Sequence, residues 1–343
     1  MKYTITVAGD ITSGLTHFAL AGLSLLGRAL TDRRVVTYWS QDANPRATLE
    51  MEDVTPVQLA ESIQKICQKW SNGWASVQVN YAAGTFSPFS PRFKSIDSSK
   101  HPEDWLKHQT SRNQEFDTLV REHDFLALQF IQSLGEAAYW CFNKKKPSPD
   151  SGASRWEMKT RNHGQEFISD KLLKFSQVLS TWPGEKILSG ITGEQTDDPW
   201  GKVDSRTPSG FTPPNPTDLA LAFVALLGIG QFPLTQRISD IAITPGAFPD
   251  SRIHPKVAVV PVHTSAISPE RFESAVMSRE WNEVVRYIGA LDTGRQNTEA
   301  KIAEAIAYLQ NFSIEAAISF PIQVIGSVNA PERYFCQGRI HLL

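Results

Sequence analysis

The first 82 residues alternate between the two hydrophobic periods of strands and helices. Polar and apolar positions alternate over 3–8, 47–52 and 75–81, and 33–39 is β-branched and aromatic, which predicts four strands. Apolar positions recur at helical spacing over 17–30, after Thr16, and again after Thr55-Pro56, where proline suits the first turn of a helix. The predicted order β-α-β-β-α-β is that of the ferredoxin-like module.

A second copy of this pattern is suggested by an internal match. Residues 16–27 and 217–228 share T-x-Φ-A-L-A-x-x-x-L-L-G, where Φ is apolar, at an offset of 201. The match indicates either an internal duplication or two independent helices that are both well buried. The elements predicted after it are strands at 238–243, 257–262, 316–325 and 334–343, a helix from Ser268-Pro269 through 288, and a helix at 298–311.

The middle of the chain has a different pattern. Residues 102–142 and 167–182 are predicted to be helical, whereas 143–155 and the proline-rich stretch 193–215 are predicted to be loops, the first of them exposed and mobile. The predicted fold class is therefore α+β, with two ferredoxin-like modules and a helical insertion between them. We place the N-terminal module at 1–95, the helical insertion with its basic loop at 96–185, and the C-terminal module at 186–343.

Composition narrows the class of protein. The 343 residues are 41% hydrophobic, which indicates a folded chain, and 34 Lys and Arg against 36 Asp and Glu give a net charge of −2. This balance excludes a uniformly basic protein that coats nucleic acid. Because 219–229 is too short to span a bilayer and the start does not resemble a signal peptide, we expect a cytoplasmic protein without membrane partners.

The charge is distributed unevenly along the chain. Residues 142–161 carry a net +4, which leaves −6 for the rest. A compact basic patch can contact phosphates locally, and Trp140 and Trp156 beside it could stack on bases; the alternative is a solubilising loop. The residues predicted to contact nucleic acid are the cations of this patch, two from a second basic loop and one from the proline-rich stretch: Lys144, Lys145, Lys146, Arg155, Lys159, Arg161, Arg92, Lys94 and Arg206.

A possible acid–base group lies in two polar segments. His163 and Glu166 precede a predicted helix, and Asp204 lies in the proline-rich stretch. These residue types could serve a metal-dependent nuclease or phosphoester hydrolase, or simply form structural hydrogen bonds. Their spacing matches no metal or nucleophile motif, and phosphate-binding glycine loops are not recognisable in the sequence. We therefore predict no catalytic residue, no metal site and no cofactor.

Several short blocks together resemble a known family. They are FALAGLSLL at 18–26, SPFSPR at 87–92, RNHGQEF at 161–167, DSRTP at 204–208 and AFVALLGIGQFP at 222–233. In these blocks the chain resembles CRISPR-associated proteins of type I systems, in particular the large-subunit-like component of the type I-G group, formerly I-U. The blocks contain no catalytic signature, and the short basic patch differs from the broad basic groove that a large subunit usually needs.

The resemblance implies a subunit of a crRNA-guided surveillance complex in antiviral defence. In such complexes base pairing reads most of the target sequence, and protein subunits contact nucleic-acid backbones and a short flanking motif. Its implied partners are crRNA, target DNA, or both, and other CRISPR-associated subunits. We therefore predict a non-catalytic RNA-binding or DNA-binding complex subunit. The alternatives are the metal-dependent hydrolase described above and a scaffold that binds only proteins.

Overall fold

A computed structural model describes residues 1–90, 101–143, 146–158, 167–199, 207–294, 302–327 and 330–343. The chain begins with β1 (Lys2–Thr6), α1 (Gly14–Leu30), β2 (Val35–Trp39), β3 (Ala47–Glu52), α2 (Pro56–Asn72), β4 (Val79–Tyr81) and β5 (Gly84–Phe86). The middle contains α3 (Pro102–Arg121), α4 (Phe125–Leu134), β6 (Phe142–Asn143), β7 (Lys146–Pro147), α5 (Leu173–Leu179) and α6 (Gly184–Thr192). The remainder contains α7 (Leu219–Leu227), β8 (Ala247–Phe248), β9 (Val257–His263), α8 (Pro269–Val276), α9 (Arg279–Asp292), α10 (Ile302–Gln310), β10 (Ile314–Ser327), β11 (Ala330–Phe335) and β12 (Arg339–Leu342). Both helices and sheets are present, so the α+β class is confirmed.

The first sheet contains three strands in the order β1-β3-β2, and each neighbouring pair is antiparallel. β1 and β2 are therefore parallel, joined by α1, with β3 between them. A ferredoxin-like module needs a fourth strand beside β1, but β4 pairs with β5 instead. The two residues between these strands make a local hairpin, which closes at little entropic cost. The predicted N-terminal ferredoxin-like module is therefore not confirmed.

The second sheet has the order β11-β10-β9-β8, with β12 also paired to β10. β9 and β10 are antiparallel neighbours although three helices separate them in the chain. In the predicted alignment β9 and β10 correspond to the third and fourth strands of a ferredoxin-like module, which would be parallel and separated by the first strand, so the second predicted module is not confirmed either. The segment 238–243 forms only an isolated bridge through Ile243, and the helix predicted from Ser268 is two helices that separate before Arg279.

The two sequence-matched segments form the central helices α1 and α7, which pack directly against each other. Ser13 caps α1 and Asp218 caps α7 through side-chain bonds to backbone N–H groups. Their contact is unusually close: an added Cβ on Gly22 would lie 1.9 Å from the Val224 carbonyl oxygen, and one on Gly228 would lie 2.0 Å from the Phe18 carbonyl oxygen. The larger hydrophobic core includes buried residues from Ile5 to Phe335, and the domain boundaries predicted at 95 and 185 stay a prediction.

The segment 151–158 lies inside the protein, although it was predicted to belong largely to an exposed loop. Every residue from Ser151 to Met158 is buried, after a short 3-10 helix at Pro149–Gly152. The described part of the proline-rich stretch is irregular as predicted, and Phe211 within it stacks on Phe18 at a centroid distance of 3.9 Å. Among the described residues, no helix combines the length and apolarity that a bilayer crossing requires.

Candidate functional site

Most of the sequence-predicted site residues lie outside the described part of the chain. Lys146 is placed in strand β7. Those outside it are Arg92, Lys94, Lys144, Lys145, Lys159, Arg161, His163, Glu166, Asp204 and Arg206. Their predicted roles in nucleic-acid contact or in hydrolysis therefore stay predictions. Among the described residues, the structure contains no group of three or more His, Cys, Asp or Glu side chains that could hold a metal ion.

Arg155 requires a correction, because it is not part of an exposed basic patch. Its side chain is buried, with the residue only 2% exposed, and its guanidinium donates to backbone carbonyls of Asp150 at 2.7 Å, Ala153 at 2.5 Å and Ile253 at 3.1 Å. These bonds tie the 150–155 turn to a distant loop. A phosphate group outside the protein cannot reach this guanidinium, so Arg155 has a structural role.

The two tryptophans expected to stack on bases are also engaged within the fold. Trp156 is fully buried, and its indole N–H donates to the Pro245 carbonyl at 3.2 Å. Trp140 is half-buried, and its indole N–H donates to the Arg237 carbonyl at 3.1 Å. The expectation of base stacking is wrong for Trp156, because neither face of its ring is accessible.

One open site among the described residues is a groove where three helices meet, which we call the α4 groove. It lies between the end of α1, one face of α2 and the start of α4, and its volume is about 510 Å³. Its lining residues are Leu25, Arg28, Ala29, Leu30, Asp32, Ser62, Lys65, Ile66, Lys69, His123, Asp124, Phe125, Leu126 and Gln129. This volume is within the range of small-molecule and side-chain pockets.

Asp124 organises the α4 groove. One carboxylate oxygen accepts the Ala127 backbone N–H at 3.0 Å and so caps α4, while the other accepts the Trp70 indole N–H at 3.2 Å. The Lys69 ammonium lies 3.0 Å from that second oxygen. One short side chain therefore fixes the start of α4 to two consecutive residues in the last turn of α2.

Two of the three lysine and arginine side chains that line the groove, Lys69 and Arg28, are paired with carboxylates. Burial disfavours the charged form of Lys69, but hydrogen bonds and charge from Asp124 and Glu122 outweigh it and raise its pKa. Arg28 lies 2.8 Å from Glu270. Asp32 lines the groove as well, and with Glu122 and Glu270 beside it there are four carboxylates against three lysine and arginine side chains. A polyanionic backbone gains little from such a balanced surface.

Apolar surface is left open at the same place. Phe125 is 63% exposed and Leu30 is 39% exposed, and both line the groove beside half-buried Ile66 and buried Leu126. Exposed apolar side chains grouped in a concavity and surrounded by charged ones are typical of a surface that binds another protein. The arrangement therefore fits an apolar anchor from a protein partner better than a phosphate.

The sequence pattern did not reveal this groove. Residues 102–142 were predicted to be largely helical, whereas α3 ends at Arg121 and α4 begins at Phe125. The sequence signal that could have separated them is Asp124, because aspartate is a preferred helix cap. In the structure His123, just before it, adopts a positive φ of 53°, which is not helical.

The chain was compared with protein-family models, with curated proteins and with solved structures. The resemblance to CRISPR-associated proteins rests on the short blocks named above and stays a prediction. None of the three comparisons found a match.

Proposed function

We propose that this chain is a non-catalytic subunit of a crRNA-guided antiviral complex and that the α4 groove binds a neighbouring protein subunit. The observation that carries the second part is the exposed, apolar Phe125 and Leu30 in a groove where Arg28 and Lys69 are already paired with carboxylates. The sequence blocks named above support the first part. In this proposal, protein contacts hold the subunit in place, and its contact with nucleic acid is confined to a small basic segment.

The groove supplies two kinds of contact to such a partner. An apolar side chain that enters it would cover Phe125, Leu30 and Ile66, and burial of apolar area contributes about 25 cal/mol per Å². The surrounding charges, including exposed Lys65, would form a polar rim. Because Asp124 fixes α4 on α2, the groove keeps its shape without the partner, which lowers the ordering cost of binding.

The substitution Phe125→Glu is expected to weaken assembly with the neighbouring subunit at least about 10-fold, because it places a charge where an apolar anchor packs. The measurement is affinity between the purified chain and the proteins encoded beside its gene. Since Phe125 is largely exposed, the variant should unfold at the same denaturant concentration as the wild type.

The matched control is Ile238→Glu, which changes an even more exposed apolar residue, 85% exposed, outside the groove. It should assemble like the wild type. Equal assembly by both variants, or the absence of any binding to the neighbouring proteins, would contradict the proposal for the α4 groove.

The triple substitution of Lys144, Lys145 and Lys146 by alanine tests the nucleic-acid part of the proposal. It should weaken binding of the assembled complex to RNA and DNA to a similar extent for all sequences and should flatten the dependence of affinity on salt, since fewer phosphates are neutralised. Titration of labelled strands across a salt series measures both effects.

Two other results would assign a different function. An assembled complex that contains no RNA and binds no nucleic acid would indicate the protein-only scaffold. Cleavage of nucleic acid that depends on Mg²⁺ or Mn²⁺ and is lost in His163→Ala would indicate the metal-dependent hydrolase.

A further inference from the structure

The outer edge of β1 is an open strand edge. In the antiparallel β1–β3 pair, alternate residues direct their backbone groups to β3 and away from it. Val7 N–H donates to the Ala47 carbonyl at 2.9 Å, and Asp53 N–H donates to the Met1 carbonyl at 2.8 Å. The odd-numbered residues of this strand therefore direct their backbone N–H and C=O groups to β3. Thr4 and Thr6 direct theirs to the open edge.

The open edge is neither paired nor covered within the described residues. Among those residues, the structure shows no hydrogen-bond partner for the outward N–H and C=O groups of Thr4 and Thr6. Ala8, the next residue with this orientation, donates its N–H to the Ile191 carbonyl at 2.9 Å, which joins the end of α6 to the sheet just beyond β1. Unpaired groups in this alternating pattern are the template that an added strand requires.

A groove runs along this edge, which we call the β1 groove. Its volume is about 700 Å³, with the backbone of β1 on one side and the last turns of α6 on the other. Its lining includes the polar, apolar and charged side chains of Thr4, Thr6, Arg46, Leu188, Thr192 and Glu194. Arg46 is the one cation and Glu194 the one anion among its described lining residues, so the groove is close to neutral.

We propose that the β1 groove binds an extended, uncharged segment of a partner protein, which adds to the first sheet as a fourth strand. The position is the one that the fourth strand of a ferredoxin-like sheet would occupy, and β4 leaves it vacant by pairing with β5. The added strand forms backbone hydrogen bonds with Thr4 and Thr6.

The two faces of the sheet determine which side chains this segment carries. Ile5 and Val7 point into the core beneath α1, whereas Thr4 and Thr6 are exposed on the opposite face. Residues of the added strand that point to the helix side would contact Leu188 and Pro56, and those on the other side would lie beside threonines in water. The segment therefore alternates small apolar and uncharged polar residues.

A second copy of this chain fits the edge less well. Antiparallel pairing of two β1 strands places both helical layers on the same face of the joined sheet. Helix α6, which packs on α2 in that layer, lines the groove through Leu188 and Thr192. The α6 helices of the two copies would then meet over the same edge, whereas a single extended segment has no such obstacle.

The inference goes beyond the proposed function and rests on different residues, so assembly through the α4 groove can fail while strand addition holds, and the reverse. The test uses the full chain with any affinity tag at its C-terminus. The probe is the capped peptide acetyl-Lys-Thr-Val-Thr-Val-Thr-Val-Lys-amide, whose six central residues are the uncharged strand and whose terminal lysines lie outside it. A peptide without sequence matched to this protein is suitable because backbone bonds carry most of the affinity in strand addition.

The first measurement is amide hydrogen exchange, resolved by residue, with and without the peptide. The Thr4 and Thr6 amides should exchange at least about 10-fold more slowly in the complex, while the Ile5 amide, already bonded to β3, should not change. Binding that leaves Thr4 and Thr6 unprotected, or no binding at millimolar peptide, would overturn the inference.

The second measurement compares variants at a single position. Thr4→Pro removes one outward N–H and should weaken peptide binding at least about 10-fold, whereas Thr4→Ser keeps the N–H and should bind within about 2-fold of the wild type. The same peptide with its central amides N-methylated should not bind. Equal affinity of the proline and serine variants would contradict strand addition, and self-association that protects Thr4 and Thr6 without peptide would assign the edge to a second copy instead.

Discussion

The substitution Gly22→Ala is expected to destabilise the protein by about 3 kcal/mol or more, because there is no room for a methyl group between α1 and α7. The added Cβ would lie 1.9 Å from the Val224 carbonyl oxygen and 3.0 Å from the Gly228 nitrogen. Both are backbone atoms of a fully buried helix segment, so a change of rotamer cannot relieve the overlap. The two helices would have to separate within the core.

The control is Gly27→Ala, the same change five residues further along α1. Its Cβ would lie 3.0 Å from the Val35 Cγ1 atom and 3.2 Å from the Met51 sulfur, which are ends of side chains that can adjust. Alanine also gains up to about 1 kcal/mol over glycine in a helix, so the net change should be within about 1 kcal/mol of zero. Urea unfolding followed by circular dichroism measures both free energies, and equal values would contradict the close contact of the two helices.

Local signals in the sequence predicted most of the elements of the first sheet. The strand at 47–52 has the predicted bounds. Helix α2 begins at Pro56, as predicted, with a capping box between Thr55 and Gln58. A capping box joins residues only three positions apart, so it can be recognised in the sequence. Such signals depend on neighbours in the chain and can be recognised without knowledge of the fold.

The partners of strands could not be predicted in the same way. Residues 79–81 carry a strand pattern whether they pair with β1 or with β5, and the short hairpin decides between them. Likewise, the spacing of β9 and β10 along the chain does not show that they are antiparallel neighbours. Which strands pair depends on contacts between distant segments, and the hydrophobic pattern of one segment carries no information about them.

Burial of charged residues was the other failure of sequence reasoning. Residues 143–155 are rich in lysine, proline and serine, which is typical of exposed loops, yet Arg155 is buried, and one of the three carbonyls that accept from it belongs to Ile253, 98 positions away. The α4 groove also depends on segments that are distant in the chain, since α1, α2 and α4 each contribute only part of its lining. Neither the burial of Arg155 nor the α4 groove can therefore be recognised from one segment of the sequence.

Two buried histidines join the halves of the structure. Thr37 of β2 forms a backbone bridge with Ile267, and its hydroxyl lies 3.0 Å from the His263 Nε2 atom. His17 lies nearby, packs on Trp39 at a centroid distance of 4.5 Å, and donates from Nε2 to the Ile11 carbonyl at 2.7 Å. Both side chains are almost completely shielded from water.

Burial lowers the pKa of His17 to about 4, against the opposing effects of the Ile11 carbonyl and Asp10. Burial also lowers the pKa of His263 to about 3, and the neighbouring His17 lowers it further while the bond to Thr37 opposes the shift. The folded protein thus excludes protons that the unfolded chain binds near the ordinary histidine pKa of about 6.5. The stability that this supplies is complete well above pH 6.5 and is lost as the pH falls toward the folded-state pKa, which is about 4 for His17 and about 3 for His263.

We therefore expect each of these two histidines to reduce the free energy of unfolding by about 2 kcal/mol between pH 7.5 and pH 5. In His263→Gln, which cannot be protonated, the loss over this interval should be smaller than in the wild type by that amount, and His17→Gln should behave alike. Urea unfolding at the two pH values measures the difference, and the value at pH 7.5 isolates the cost of replacing the ring. Carboxylates titrate in all three proteins and cancel in the comparison. An identical pH dependence in the wild type and both variants would show that neither histidine is held neutral at the junction of the two sheets.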